Sequence, residues 1–242
     1  MMILGTVVNA CGILLGAALG AAGRGGLAPE TQGNLRTGIG ILTVFAGLHL
    51  VWTHLGGGFG AVCRQFVVVL LAMTLGRIAG SLLRLQRGSN RLGRAASDTL
   101  DRVGRGGPRN FTDGFTTCAV LYCVAPMSIL GAVQEGLGGD CRILALKAAV
   151  DGLSALSLVR VFGAGAVCAL LPLVAWQGSL TLAVRLAEPW VRAHGWTDPV
   201  VATVGFLLFS VALLILEIRK VAVADYLPSL AMAPLLVRLW RW

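Results

Sequence analysis

The chain has 242 residues, of which 56% are hydrophobic and only 13% charged, with a formal net charge of +9. Soluble domains carry about twice that share of charged residues, and a soluble fold of this length could not cover its surface with so few. With aromatics at only 7%, a large aromatic-lined ligand cage is also excluded.

The apolar residues come in blocks of about 20, the length a helix needs to cross roughly 30 Å of hydrocarbon. We place spans at residues 2–22, 35–55, 62–83, 113–133, 143–162, 164–186 and 200–218. An eighth apolar stretch, 221–239, is interrupted by Pro228 and Pro234 and reads as a span or a short re-entrant helix. Backbone groups in lipid must pair internally, so the spans are helices, and no run of short alternating strands suggests a barrel. The fold class is therefore all-α: a polytopic transmembrane bundle, one domain over 1–242, of about seven spans plus the C-terminal segment.

The first span, MMILGTVVNACGILLGAALGAAG, has no Lys or Arg before Arg24 and reads as a retained span rather than a signal peptide. It carries Asn9 and a small-residue stripe, Gly12, Gly16 and Gly20, suited to close helix contact and to homo-oligomerisation. Gly76 and Gly80 repeat the spacing in span three.

The longest polar segment, 84–110, reads as an Arg-rich loop. Arg77, Arg84, Arg87, Arg91, Arg94, Arg102, Arg105 and Arg109 stand against Asp98 and Asp101. Such a cluster beside span ends stays in the cytoplasm, which puts the N-terminus outside. Arg24, Arg36, Arg160, Arg219 and Lys220 then also fall inside, and the acidic Glu135 and Asp140 outside. Arg238 and Arg241 prefer the inside too, which favours seven spans plus a re-entrant segment. This placement accounts for the net charge without a nucleic-acid partner; the partners expected are the bilayer and a small solute or ion.

Span four, GFTTCAVLYCVAPMSILGAV, holds Pro126 in mid-helix, removing the hydrogen bond to the carbonyl of Tyr122. A carbonyl freed at a kink lines a polar cavity, or the kink serves packing alone. Asp113 and Glu135 fall at the two ends of this span, where exposed charges are ordinary.

Span five, ILALKAAVDGLSALSLVRVF, places Lys147 and Asp151 one turn apart on one face, continued by Ser154. Lys147 lies about 6 Å inside the outer end, counting 1.5 Å per residue, and is within reach of the surface by snorkelling. Asp151 lies about 12 Å deep on the same count, beyond the reach of its short side chain. It has to pair, be protonated or face a wet cavity: a structural ion pair and a proton, ion or substrate site are both open readings. Span six adds Pro172 and Gln177. Asn9, Pro126, Asp151 and Gln177 all fall roughly 10–13 Å from the outer face, which suggests one buried polar layer.

Span two (TGIGILTVFAGLHLVW) loosely resembles span seven (ATVGFLLFSVALLILE). A match of spans one to three with six to eight would give opposite topologies, as in inverted-repeat transporters; a shared Gly/Leu/Val composition explains the likeness equally.

The six cysteines, Cys11, Cys63, Cys118, Cys123, Cys141 and Cys168, form no C-x-x-C or zinc-like spacing and read as small packing residues. His49, His54 and His194 stand near span ends. No H-E-x-x-H, nucleophile elbow, P-loop or dinucleotide fingerprint is present, and LGGD at 137–140 is not the Gly-x-Gly-Asp of intramembrane aspartyl proteases. The expectation is of no enzyme, no cofactor and no metal.

The opening GTVVNACGILLG, the stretch from Gly114-Phe115 through YCVAPMSILGAVQEGLGGD, KAAVDGLSAL, WQGSLTL and YLPSLAMAPLL resemble the bacterial YqgA/YdfK-type family of inner-membrane proteins. The likeness covers nearly the whole chain outside the Arg-rich segment. It implies a polytopic inner-membrane protein and supplies no reaction, since the family's function is unknown. Asn9, Met127, Gly131, Gly136, Lys147, Asp151, Gly178 and Pro228 match its pattern, whereas Ala125 and Asp225 stand where a Gly and an Asn are more usual. The leading expectation is a small-solute or ion transporter or channel, its path lined by Asn9, Tyr122, Pro126, Asp151 and Gln177 with Lys147 as the charge partner of Asp151. The rival is a membrane scaffold or interaction protein.

Overall fold

A computed structural model describes residues 3–23, 27–104 and 111–239. Arg24, Arg105, Arg109 and Arg241, used above to orient the chain, lie outside the described residues. The described residues form helices and no strand. In chain order these are α1 (Leu4–Ala22), α2 (Pro29–His54), α3 (Phe59–Leu82), α4 (Leu85–Gly104), α5 (Phe111–Val124) and α6 (Pro126–Gly138). There follow α7 (Arg142–Phe162), α8 (Ala164–Cys168), α9 (Leu170–Ala193), α10 (Thr197–Ile215), α11 (Val223–Tyr226) and α12 (Ser229–Leu239).

By length and composition α1, α2, α3, the α8–α9 run and α10 can each cross a membrane, and α5 with α6 makes a sixth, bent by 54°. The expected span at 143–162 is a continuous 21-residue helix, α7, about 32 Å long at 1.5 Å per residue, but it is not among the helices that qualify as spans by length and composition together. Arg142, Lys147, Asp151 and Arg160 make it more polar than the other long helices, and the Lys147 and Asp151 side chains are turned inward. Large apolar side chains face outward on the other helices, with Leu15 66%, Phe45 66% and Trp52 82% exposed. Faces of this kind are solvated by lipid, not water.

The expected break in span four is real and has a local cause. Ala125, ahead of Pro126, adopts φ −56 and ψ 127, leaving the helical region as a residue preceding proline is driven to do. Pro126 then opens α6, where its missing N–H costs nothing. Gly139, at φ +71, ends α6 in the left-handed conformation.

The Arg-rich segment differs from expectation: 85–104 is an amphipathic helix, not a loop. Leu92, Ala96, Leu100 and Val103 recur at three to four residues, and Ala96 and Val103 are buried. Arg102 reaches Asp113 at 2.5 Å.

The chain divides into two compact units, residues 1–39 with 89–184 and residues 40–88 with 185–242. The first unit is built on α1 against α7. A β-carbon on Gly12 would lie 2.7 Å from the Ala148 carbonyl oxygen, and one on Gly16 or Gly20 would overlap the carbonyls of Gly152 or Leu156. The small-residue stripe of α1 is thus occupied by α7 of the same chain. Around this pair Ile13, Cys118, Tyr122, Ala155, Phe162 and Leu173 form a hydrophobic core.

The second unit repeats the device. Gly47 of α2 meets Gly205 of α10, while Gly76 and Gly80 of α3 admit the backbone at Ser229 and Asp225. Asp225 accepts a hydrogen bond from the Gln86 N–H in the first turn of α4 at 2.8 Å, and the Gln86 side chain accepts from the Ala224 N–H at 3.0 Å. The Asp225 carboxylate therefore holds a helix N-terminus. The C-terminal stretch is two short helices broken at Pro228; α12, at 11 residues and about 16 Å, is half the length that spans hydrocarbon.

Candidate functional site

Polar side chains in a lipid-embedded bundle have to find one another, and those of the first unit do so along a single chain of hydrogen bonds. At its centre Asn9 of α1 is fully buried. Its amide nitrogen donates to the Asp151 carboxylate at 3.3 Å and to the Gln177 side-chain oxygen at 3.1 Å. Both partners are acceptors there, which fixes which way the amide points.

Asp151 is paired with Lys147 across one turn of α7, and both are buried, at 6% and 1% exposure. The lysine does not snorkel outward. Its ammonium also donates to the backbone carbonyl of Tyr122 at 3.0 Å. That carbonyl lost its helical donor to Pro126, so the sequence break and the buried cation answer each other. Ser128, in the first turn of α6, donates to the same carbonyl at 3.2 Å.

From Gln177 the chain runs toward the N-terminal end of α1. The Gln177 amide donates to the Thr6 hydroxyl at 3.3 Å. One turn along α9, the Thr181 hydroxyl donates to the Gln177 backbone carbonyl at 3.1 Å and reaches the Glu135 carboxylate at 3.4 Å. Glu135 also accepts from the Gly5 N–H at 2.5 Å and is only 3% exposed. Two buried acids, Asp151 and Glu135, are thereby linked through α1 and α9.

The six expected path residues, Asn9, Tyr122, Pro126, Lys147, Asp151 and Gln177, all belong to this network or to the break that feeds it. Two expectations fail. Glu135, assigned to an exposed span end, is buried, because the bend at Ala125 turns α6 back among its neighbours. Ser154, expected on the polar face, is exposed and bonded to its own Val150 carbonyl at 2.9 Å. It sits roughly 60° around the helix from Asp151, at the edge of the buried face. Thr6 and Thr181 escaped notice as small hydroxyl residues that lipid tolerates.

Two polar atoms at the site have no partner, the Asn9 side-chain oxygen and the Tyr122 hydroxyl, although both residues are almost wholly buried. Unpaired buried groups cost about 1–3 kcal/mol each, so a packed interior rarely leaves two on residues of one network. Among the described residues no group of three or more His, Cys, Asp or Glu is placed to hold a metal.

Long lipid-facing helices around a buried polar chain define an all-α, multi-pass membrane protein. The chain belongs to the family described as protein of unknown function DUF554, whose model matches residues 4–238. It is 27% identical over 233 residues to the uncharacterized membrane protein YdfK of Bacillus subtilis (strain 168), covering 96% of this chain and 95% of that one. It is 28% identical over 241 residues to the uncharacterized protein YqgA of Escherichia coli (strain K12), covering 99% and 98%. No solved structure matches the chain.

Proposed function

We propose that this protein is a transporter or channel for a small solute or ion, and not an enzyme, residing in a bacterial inner membrane with its N-terminus outside and the Arg-rich helix α4 in the cytoplasm. The orientation rests on the arginines of 84–104. The location rests on the relatives and on the lipid-facing helices.

One observation carries the reading. Asn9, Tyr122, Lys147, Asp151 and Gln177, from α1, α5, α7 and α9, meet in one buried network that still leaves the Asn9 oxygen and the Tyr122 hydroxyl unpaired. A bundle that needed only to hold its shape would gain by replacing such groups with apolar residues. A path for a polar cargo needs them.

A scaffold protein is the rival, and the closed Lys147–Asp151 pair supports it, since a scaffold needs Asp151 only to be paired. The two readings separate in reconstituted vesicles. Proton, cation, anion and small-metabolite fluxes are measured for the wild type and for Asp151→Asn. Flux in the wild type that falls at least about tenfold in a folded variant supports transport; no flux in either, with a stable partner recovered, supports the scaffold.

A further inference from the structure

The atoms gathered around the Lys147 ammonium are those that would hold a dehydrated metal ion. They are the Tyr122 carbonyl freed by Pro126 and the Asp151 carboxylate, with the Asn9 and Gln177 side-chain oxygens joined to the same network. All are hard oxygen ligands carrying one formal negative charge in total, a set that suits an alkali cation. The lysine already fills that role as a cation tethered to the chain. The Asn9 side-chain oxygen, on the amide whose nitrogen faces Asp151, is unpaired and nine-tenths or more buried.

We propose that a monovalent alkali cation competes with the Lys147 ammonium for Asp151 and the Tyr122 carbonyl, and that its binding expels one proton from Lys147. The inference rests on the transport reading and names the ion coupled to it. Charge balance dictates the step. With lysine in place, one positive charge offsets the Asp151 carboxylate. If the metal ion entered while the ammonium stayed charged, the buried site would hold one uncompensated positive charge, at a cost of several kcal/mol. The exchange therefore reads Lys147 ammonium with Asp151 carboxylate, plus cation, going to Lys147 amine with cation-bound Asp151, plus a proton released to water. No bond to carbon changes and no electron moves. A divalent ion would leave a net charge behind and is disfavoured on the same ground.

The surroundings are consistent with a one-proton exchange. From α5, Tyr122, Cys118 and Cys123 are the titratable groups near the pair. From α6, Ser128 shares the Tyr122 carbonyl with Lys147, and the Glu135 carboxylate belongs to the far end of the network. α1 and α9 contribute Asn9, Thr6, Gln177 and Thr181, none of which titrates.

The test uses the purified full-length protein. Binding of radioactive sodium is measured across pH, with thermal unfolding followed in sodium, potassium or lithium chloride against choline chloride at equal ionic strength. The expected result is saturable binding whose apparent affinity weakens about tenfold for each pH unit lowered, the signature of one competing proton. Lys147→Ala is expected to bind the cation at least as tightly and without that pH dependence, and Asp151→Asn not to bind it. Should Lys147→Ala not fold, the pH dependence of the wild type and the release of one proton per cation, read with a pH dye, decide the matter. No saturable cation binding at any pH overturns the proposal, as does pH-independent binding in the wild type or binding kept by Asp151→Asn. Solute flux that proceeds unchanged in choline, with no alkali cation bound, overturns this inference and leaves the transport reading standing.

Discussion

The carboxylate of Glu135, in α6, accepts a hydrogen bond from the backbone N–H of Gly5 at the start of α1, at 2.5 Å. The N-terminal turn of a helix exposes unpaired N–H groups and a partial positive charge, and this acid, 130 positions away in sequence, answers both. Glu135→Ala removes the acceptor and leaves the N–H buried, which should destabilise the protein by about 1–3 kcal/mol. Glu135→Gln keeps an acceptor and should lose less. Thermal or denaturant unfolding in detergent ranks the three proteins; equal stability of all three would mean that the contact does not hold α1.

Close approach of α1 to α7 leaves no room for a side chain at Gly16. Gly16→Ala should cost about 1–3 kcal/mol through overlap with the Gly152 carbonyl. Gly33, in α2, faces open space, and Gly33→Ala should be neutral or gain about 0.5–1 kcal/mol from helix propensity. Unfolding midpoints of the two variants should therefore move in opposite senses, or Gly33→Ala not at all.

Removing one member of the buried ion pair should hurt more than removing both. Lys147→Met leaves Asp151 charged or forces it to take a proton, and should cost about 3–5 kcal/mol. The double variant Lys147→Met, Asp151→Leu should recover most of that loss. A double variant that is stable yet carries no flux would assign the pair to transport; one that is stable and fully active in flux would remove it from the path.

Asp225 and Gln86 hold the first turn of α4 to the segment before Pro228. Asp225→Ala should free that turn at a cost of about 0.5–2 kcal/mol, and Asp225→Asn should be milder. Trypsin reports the change directly, since Arg84, Arg87 and Arg91 flank or lie in the loosened turn. Faster cleavage there in the Ala variant is the expected outcome.

Much of the site was legible because lipid makes polarity expensive. Lys147, Asp151, Asn9 and Gln177 stood out in otherwise apolar spans, and the cost of burying each alone required them to meet. Pro126 announced both the break and the carbonyl it frees. Glu135 was misread because a straight span was assumed, and on a straight span it falls at the water boundary; the bend carries it inward instead. Its neighbour Gln134, also buried, was the available hint, since two adjacent polar residues followed by Gly136 make a poor lipid-facing turn. The Arg-rich segment was taken for a loop because its charge hid the three-to-four spacing of Leu92, Ala96, Leu100 and Val103. That a Gly stripe meets a partner is readable from spacing. Which helix that partner is depends on long-range packing, and so α7 could not be named in advance.

The contact of backbone on backbone between α1 and α7 has a mechanical corollary. Where Gly12, Gly16 and Gly152 seat each helix against the other's carbonyls, sliding or rolling would drive main-chain atoms into one another. Asn9 and Asp151 therefore travel together as parts of one stiff two-helix beam. The Tyr122 carbonyl belongs to a different lever, pivoting at Ala125 where no helical bond crosses. Relative movement of the Tyr122 carbonyl and the Asn9–Asp151 beam falls to that pivot, and a crosslink stiffening it should hold the network closed without touching a single polar side chain.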